Sequence, residues 1–554
     1  MKITKVAENI IKFFVSSIQE LFSRIASNPI CRNIIRIAVK LAIDMVKVSE
    51  IAVNILCNKL YIFTLFSNFF IIISHNISPI SYLCCSSCSI HVYHKRKYSE
   101  SNPCTYGSSC YRKNPDHLEK FSHENYLLTS CKSLTNSHIS HIGIEKLLSI
   151  DKIVKSVQFN YCVDLSWLIS KYPKPIGDLT VIHGMKDDEK IDRSNLKVIS
   201  PKISIPFGVH HTKMMWLDCQ NSFYIVVHTA NLIEDDWKDR TQGIYISPPL
   251  KKCAENQPDS GTNFRQDLLL YINSYDAEVR EALKEWIEVF TKTDFRPINV
   301  HFVSSVSGRF KGSEMSNFGH LKLSKILRQN GRFGESFDKF NLVGQFSSIG
   351  SLGENPVKWL KGELVKSLSG KTSTGLRLIY PTLLNVRYSF EGYKAGTCLP
   401  YNRKTHEKQM WLKTFLYSWQ APGGRTRAIP HIKSYAMINS ENSKLSWFLL
   451  TSSNLSKAAW GCYEKNQTQF LIRSYEAGVL FLPTKESCFD LMKDTDNISQ
   501  SINCNSTFKL PYELPLTKYT EEGKLCPFFS FVIQSISLYN RTILIRPLNF
   551  LLLP

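Results

Sequence analysis

The sequence predicts an α/β protein built from two similar α/β sandwich domains related by a pseudo-twofold, with a small zinc finger in front of them. Three observations predict it. Strand-like runs such as LTVIHG, FYIVVHTAN, DLLLYI, WFLLTSSN and TQFLIRS alternate with helix-like runs such as AEVREALKEWIEVFTKT, the pattern of sheets flanked by helices. One constellation of His, Lys, Asn and Trp occurs twice. Upstream of both copies stand two cysteines and two histidines at metal-ligand spacing. A chain of 554 residues with 43% hydrophobic and 21% charged content has room for two or three domains with a large core, which excludes a single small module and wholesale disorder.

Taken in order, residues 1–98 form a leader with broken amphipathic patterns (Ile34, Ile35, Ala38, Val39, Ala42, Ile43). From Leu60 to His94 it carries no Asp, Glu, Lys or Arg, and Leu60 to Ile73 is almost wholly apolar. A membrane span needs roughly 20 predominantly apolar residues. Ser67, Asn68, Ser74, His75 and Asn76 interrupt the run within that length, so it reads as a buried helix ahead of a span. Residues 101–124 hold the finger, 125–296 the first domain and 297–523 the second, with a change of phase at Asp294 to Pro297. Residues 524–554 are an apolar, patternless tail.

Subtracting 47 Asp and Glu from 68 Lys and Arg leaves +21. The first 90 residues hold nine basic and four acidic side chains, +5, so +16 belongs to the main body. Such a body calls for an anionic partner, nucleic acid ahead of a membrane surface. Sixteen scattered cysteines lack the regular spacing of a disulfide scaffold and read as reduced, intracellular thiols.

The duplicated constellation carries the chemistry. HHTKMM is followed by HTANLIEDDW, and PHIKSY by TSSNLSKAAW. Both read H-x-K, a spacer, then N-L-x4-W: His211, Lys213, Asn231 and Trp237 in one, His431, Lys433, Asn454 and Trp460 in the other. On a strand, residues i and i+2 face one side, so each His and Lys would point together into one cleft. The spacer is long enough to return along a neighbouring strand and bring Asn alongside. Two halves folded about a pseudo-twofold would then converge two imidazoles, two ammonium groups and two amides on a phosphate, with histidines in line on opposite sides of phosphorus. No carboxylate cluster suggests a catalytic metal, so no cofactor is expected for catalysis.

These paired motifs resemble the phospholipase D superfamily. The wording GVHHTKMM, HTANLIEDDW, PHIKSY, TSSNLSKAAWG and RSYEAGVLFLP, with QFNYCVD, GQFSSIGSLG and LPYELP, resembles the tyrosyl-DNA phosphodiesterase family over roughly residues 125 to 523. The resemblance implies two phospholipase D-like domains and release of topoisomerase I-derived peptide from DNA 3′ ends. His211, Lys213 and Asp218 also spell the H-x-K-x4-D signature of the lipid-cleaving branch. The second copy has Ile438 in place of that Asp, and Asp218 in LDCQNS reads as a hairpin-turn residue. The resemblance instead places the residues that orient the histidines at Glu476 and Gln242.

It further implies that His211 is the nucleophile and that His431 is the proton donor and acceptor. Lys213, Lys433, Asn231 and Asn454 would hold the charge at phosphorus, and the product would be a 3′-phosphate. Ser348 and Ser456 should contact DNA phosphates together with the two lysines, Phe207 should stack on a base, and Tyr161 should sit by the peptide. Taken alone, the serines read as caps or turns and the tyrosine as core. A carboxylate behind His211 and an amide behind His431 should separate the two histidines in chemistry.

In PCTYGSSCYRKNPDHLEKFSH, Cys104, Cys110, His117 and His123 offer two thiolates and two imidazoles around turn-forming Gly107 and Asn114-Pro115, the donor set of a tetrahedral structural zinc. The segment resembles a poly(ADP-ribose)-binding zinc finger, which implies that Tyr106, Tyr111 and Arg112 grip adenine and phosphates. Ser101 departs from the basic residue often found there, and Cys85 with Cys88 lacks a partner pair for a second site. The expectation is a monomeric nuclear DNA-repair phosphodiesterase that acts on single-stranded and double-stranded DNA with blocked 3′ ends and is recruited by poly(ADP-ribose). No membrane partner is expected. Two rival readings are an inactive scaffold delivered by the finger and a membrane-tethered lipid hydrolase. The leader has no counterpart in the family, and CPFFSFVIQ with the apolar tail replaces its Trp-containing closing segment.

Overall fold

The computed structural model describes residues 102–103, 121–122, 125–129, 131, 141–185, 191–484, 487–492 and 507–520. The chain divides into residues 1–95, which lie outside the described residues together with the run at 60–73, and residues 96–554, which hold everything below. The tail from 524 to 554 also lies outside them. Among the described residues no helix is long and apolar enough to cross a membrane.

Strand β1 (Asn102–Pro103) pairs in parallel with β2 (Phe121–Ser122), Asn102 opposite Phe121 and Pro103 opposite Ser122. The two ends of the Cys-Cys-His-His segment are thereby brought side by side. Its four ligand candidates Cys104, Cys110, His117 and His123, with Tyr106, Tyr111 and Arg112, lie outside the described residues.

The first large sheet contains β3 (Leu127–Thr129), β4 (His141–Ile142), β5 (Ile153–Asn160), β6 (Asp178–His183), β7 (Leu196–Ile199), β8 (Met214–Cys219), β9 (Ser222–His228) and β10 (Gly243–Ile246). Their order is β4-β3-β10-β9-β8-β5-β6-β7, with β11 (Leu250–Lys251) also on β9. The second is assembled from β12 (His301–Ser305), β14 (Phe340–Gln345), β15 (Gly375–Ile379), β16 (Leu416–Tyr417), β17 (Ser434–Asn439), β18 (Lys444–Thr451) and β21 (Glu476–Phe481). Here the order is β12-β21-β18-β17-β14-β15-β16, with β22 (Phe489–Leu491) on β18 and β23 (Thr507–Phe508) on β22. A three-stranded sheet of β13 (Gly308–Lys311), β20 (Gln469–Ile472) and β19 (Cys462–Glu464) stands apart.

The two large sheets repeat one frame. A parallel pair (β5 with β6, β14 with β15) is joined by an antiparallel hairpin (β8-β9, β17-β18) and then a returning antiparallel strand (β10, β21). Both hairpins are buried on both faces, and so read as near-continuous apolar runs. In β8, Met214 and Trp216 enter a central core that also takes Ile432, Phe448 and Leu450 from the second half, while Met215 and Leu217 enter an outer core beneath the 165–171 helix. Edge-on ring pairs brace the centre: Phe159 on Trp216 at 4.6 Å and Trp216 on Phe290 at 4.9 Å. Such pairs contribute about 0.5–1.5 kcal/mol each beyond burial. The halves approach most tightly at Gly243, where an added Cβ would lie 2.5 Å from Leu450 Cδ1 and 2.9 Å from Ile432 Cδ1.

Two local readings are corrected. DLLLYI is helical, part of Phe264–Asn273, because Phe264, Leu268, Tyr271 and Ile272 meet the core at helical spacing. A short apolar run cannot by itself distinguish strand from helix. Asp218 belongs to β8 and not to the turn that follows it; its carboxylate pairs with Lys252 Nζ at 2.9 Å, because β11 runs alongside this hairpin. The run AEVREALKEWIEVFTKT is helical as expected, in two pieces, Ala277–Ala282 and Lys284–Thr291, that meet at Leu283.

Candidate active site

Each H-x-K segment lies in the extended stretch that leads into its hairpin, one step ahead of the strand itself: His211 and Lys213 before β8, His431 and Lys433 before β17. Backbone bonds from the other half hold each stretch in place. His211 N–H donates to Tyr475 O at 2.9 Å and Tyr475 N–H to Val209 O at 3.0 Å. Thr241 N–H donates to Ile429 O at 2.9 Å, and His431 N–H returns to Thr241 O at 3.0 Å. Tyr475 precedes Glu476 and Thr241 precedes Gln242, so each histidine is set beside the side chain at the entry to the other half's returning strand, Glu476 opening β21 and Gln242 just ahead of β10.

The consequence is a crosswise pairing. His211 Nδ1 lies 2.9 Å from Glu476 Oε2, and Gln242 Nε2 donates to His431 Nδ1 at 3.0 Å. A carboxylate only accepts, so His211 carries its proton on Nδ1 and leaves Nε2 with a free lone pair. Equivalent hydroxyls hold the two orienting groups: Thr229 Oγ1 bonds Gln242 Oε1 at 2.7 Å, and Ser452 Oγ bonds Glu476 Oε2. The flanks of His211 are anchored too. His210 Nδ1 donates to Asn160 O, leaving Nε2 to accept from Tyr275 OH at 2.7 Å; Tyr271 OH lies 2.5 Å from Tyr275 OH and 2.6 Å from Thr212 Oγ1.

The lysines and asparagines complete the pocket. Lys213 Nζ donates to His211 O at 3.2 Å, and Lys433 Nζ to His431 O. Asn454 Oδ1 accepts from the Ser347 and Ser348 N–H groups at 3.1 and 3.0 Å, which turns its NH2 group the other way. Asn231 is fixed through its backbone, N–H to Asp236 Oδ2 at 2.6 Å and C=O from Trp237 Nε1 at 2.9 Å, while its own buried Oδ1 has no protein partner.

One residue escaped the sequence reading. Asp236 is fully buried with Oδ2 3.0 Å from His431 Nδ1, on the same nitrogen as Gln242, and Oδ1 2.5 Å from Arg240. Arg240 in turn binds Glu391 through Nε and Nη2 at 2.9 and 2.7 Å. The expected amide partner of His431 is in place, and a buried carboxylate stands beside it. The available signal was that Asp236 stands before Trp237 where the second copy has Ala459 before Trp460.

Burial dominates the electrostatics. Desolvation pushes Lys213 down to about 8 against the pull of Glu476 and Asp236, and Lys433 down to about 7, where the neighbouring Lys213 charge adds to it. Desolvation also lowers His211, opposed by Glu476, and takes His431 down to about 3, opposed by Asp236. Burial would raise both carboxyls, but His431 and Arg240 hold Asp236, and His211 and Ser452 hold Glu476, below the usual range. The pocket thus presents neutral imidazoles and two easily discharged ammonium groups, whose charged forms a bound anion would favour.

Of the remaining residues singled out in the sequence, Tyr161 adjoins the pocket. The Tyr161 ring lies 5.5 Å from the His211 ring, with Lys213 Nζ 5.8 Å above it. Phe207 is 91% exposed in a left-handed backbone conformation (φ 62°), on a loop tied by Arg473 to Pro206 O at 2.8 Å. This region is a costly one for a bulky side chain. Ser456 caps the Lys457–Trp460 helix, accepting from Ala459 N–H, and Ser348 adjoins it through the Gly350 N–H bond to Leu455 O at 2.9 Å. Asp218, bound to Lys252, takes no part in the pocket.

Comparisons with known proteins agree with this geometry. Residues 125–520 match the model of the family described as tyrosyl-DNA phosphodiesterase, and residues 102–125 match the PBZ domain. Tyrosyl-DNA phosphodiesterase 1 of Drosophila melanogaster is 37% identical over 454 residues, covering 75% of this chain and 75% of that protein. The Arabidopsis thaliana protein of the same name is 40% identical over 371 residues, covering 63% of this chain and 60% of its own length. The crystal structure of the yeast tyrosyl-DNA phosphodiesterase superposes with a TM-score of 0.56 at 20% identity, covering 71% of this chain and 97% of that one, a likeness of fold.

Proposed function

The chain belongs to the tyrosyl-DNA phosphodiesterase family and is a DNA-repair phosphodiesterase, and from that premise we infer how its own residues divide the work. The reading is hydrolysis of 3′-phosphotyrosyl and related 3′ adducts, including topoisomerase I-derived peptide, through a phosphohistidine at His211, leaving a 3′-phosphate. The observation that carries it is the crosswise pairing of His211 with Glu476 and of His431 with Gln242 around two buried lysines.

Neutral His211, its Nδ1–H donated in a hydrogen bond to the Glu476 carboxylate, attacks phosphorus through Nε2. The phosphate anion raises both lysines, so that Lys213 and Lys433 are ammonium groups when substrate is bound and offset the charge that grows in the transition state. Asn231 and Asn454 supply amide donors beside them. The same anion raises His431, which donates a proton to the departing tyrosyl oxygen and then takes one from water to open the P–N bond. Phe207 and the Ser348 and Ser456 segments are read as DNA contacts, and Tyr161 as the wall on the peptide side.

The finger is read as the recruiting module. Cys104, Cys110, His117 and His123 would hold one zinc, which supplies fold stability there, and the donor set of two thiolates and two imidazoles fits it. Tyr106, Tyr111 and Arg112 would take poly(ADP-ribose), placing the enzyme at breaks in the nucleus. The decisive experiment is turnover of a 3′-phosphotyrosyl oligonucleotide in EDTA. Clean conversion to a 3′-phosphate product is expected; activity lost on chelation and restored by magnesium would overturn the mechanism.

A further inference from the structure

We propose that the exposed aromatic and basic surface formed by Arg387, Tyr388, Tyr393 and Arg427 receives DNA, namely the single-stranded overhang of the complementary strand where it runs past the blocked 3′ end. The inference rests on the reading of His431 as the acid that faces the leaving group.

The surface begins with a short helix, Leu383–Arg387, capped by Thr382, and the chain turns back at Gly392, whose φ is 55°. Leu384, Tyr388 and Tyr393 stand in solvent at 42%, 56% and 46% exposure. One exposed apolar side chain is ordinary, but a cluster of them on one short segment marks a surface that meets a partner. The Arg387 guanidinium lies 5.5 Å from the centre of the Tyr388 ring. A second arginine arrives from the loop ahead of His431. Arg427 lies 4.8 Å from the centre of the Phe390 ring and donates through Nε to Tyr388 O at 3.2 Å, while its own C=O accepts from Phe390 N–H at 2.9 Å. Both arginines are exposed, and among the described residues neither has a carboxylate within ion-pair distance. The acids close by are already engaged, Glu391 by Arg240 and Asp235 by Lys394 at 2.8 Å. What remains outward is positive charge beside open rings, which offers bases a stacking face and phosphates a grip.

Two connections put this surface beside the acid end of the pocket. Glu391 holds Arg240, whose neighbour Thr241 bonds the backbone of His431, and Arg427 stands on the stretch that leads into His431. In an in-line displacement His211 and His431 stand on opposite sides of phosphorus, and His431 faces the departing oxygen. The space on that side lies past the last nucleotide of the scissile strand, so the DNA that reaches it belongs to the complementary strand. The adducted peptide leaves on the same side and is the rival occupant. A peptide offers neither a regular row of anions nor flat bases, whereas unpaired guanidinium groups among open rings match a phosphodiester chain that carries bases. Such a surface binds without regard to sequence, as an enzyme acting at any broken end requires.

The test uses the full chain and three 3′-phosphotyrosyl substrates: a single strand, a blunt duplex, and a duplex whose complementary strand overhangs the blocked end by about six nucleotides, the reach of one single-strand binding module. In the unaltered protein KM should be lower on the overhang substrate than on the blunt one. Arg387→Gln combined with Tyr388→Ser should raise the overhang KM by about tenfold, towards the blunt value, with kcat and the single-strand KM kept within about twofold. The salt dependence of binding the overhang substrate should flatten in the same variant. No overhang preference in the unaltered protein, or an equal rise of KM on the single strand, would overturn the proposal. A change that follows the length of the adducted peptide and not the overhang would overturn it in favour of the peptide. All of these outcomes leave turnover intact, whereas an unaltered protein that cannot turn over the single strand would strike the reading of the active site itself. Should the double variant fail to fold, iodouracil placed in the overhang and irradiated on the unaltered protein serves instead: crosslinks to Tyr388 or Tyr393 are expected, and crosslinks confined to other segments would overturn the proposal.

Discussion

In the first half the strand after the H-x-K segment leads to Thr229, Asn231 and Asp236 and the returning strand is entered through Gln242; in the second half the same places hold Ser452, Asn454, Ala459 and Glu476. The strand registers make the match residue by residue, since Ile244 opposes His228 as Gly478 opposes Thr451. Where the halves agree, in His, Lys, Asn and the supporting hydroxyl, they form what a phosphate needs from both sides. Where they differ, behind the imidazoles, they make two unlike histidines from one template. His211 has a single carboxylate that frees Nε2 as a nucleophile. His431 has an amide and a more deeply anchored carboxylate. A pocket symmetric in its grip and asymmetric in its proton chemistry is what a two-step displacement requires, because one group must attack while the other changes from acid to base.

The largest expected effect breaks the comparison at its centre. His211→Ala should reduce turnover by about 10⁴-fold or more and give no covalent DNA adduct, because nothing remains to attack phosphorus. His431→Ala should still attack a 3′-nitrophenyl oligonucleotide and then stall as a phosphohistidine adduct, visible on a denaturing gel. An adduct that persists in the first variant and is missing from the second would exchange the two roles.

A smaller effect sharpens the shared part. With burial holding Lys433 at about 7 and Lys213 at about 8, both are charged near pH 6 and mostly neutral by pH 9. Phosphate needs the charged forms, so kcat/KM should decline as pH rises through this window, on any leaving group. The sign for stability runs the other way. An unfolded lysine keeps its proton up to about 10.4, so between the two values the unfolded chain binds more protons and stability rises with pH. Inorganic phosphate should accordingly raise Tm more at pH 6 than at pH 9. Equal stabilisation at both would mean that the ammonium groups are not the anion site.

The smallest effect on chemistry concerns the seam. Gly243→Ala forces a methyl against Leu450 and Ile432 and should cost about 1–3 kcal/mol of stability by overpacking, read as a lower urea midpoint, while turnover of the folded enzyme changes little. A large loss of turnover at unchanged stability would show that the seam sets the distance between the histidines more delicately than packing alone requires.

Much of this was legible in the chain. The α/β class followed from alternating strand-like and helix-like runs, and the paired His, Lys and Asn could be picked out because a duplication leaves the same side chains at the same spacing twice. Glu476 and Gln242 were reached only by resemblance, since nothing local in RSYEAGV or DRTQGIY announces an orienting group. DLLLYI was misread because a run of five apolar residues fits either a strand or one face of a helix, and the choice fell to the core they meet. Asp236 was passed over because an acid in EDDW resembles the solvated first turn of a helix, with two further acids beside it. Only burial and the arrival of Arg240 and His431 distinguish it.

By itself, then, the sequence determined the inventory: two H-x-K segments, two amides, a basic body, and a donor set for zinc. What the tertiary structure decided is which group serves which histidine. Those assignments depend on backbone bonds between residues far apart in the chain, His211 to Tyr475 and His431 to Thr241, which bring each imidazole to the other half's returning strand. The proton chemistry of an imidazole is set by its nearest buried charge and by the water it has lost, and both are properties of the assembled pair of halves.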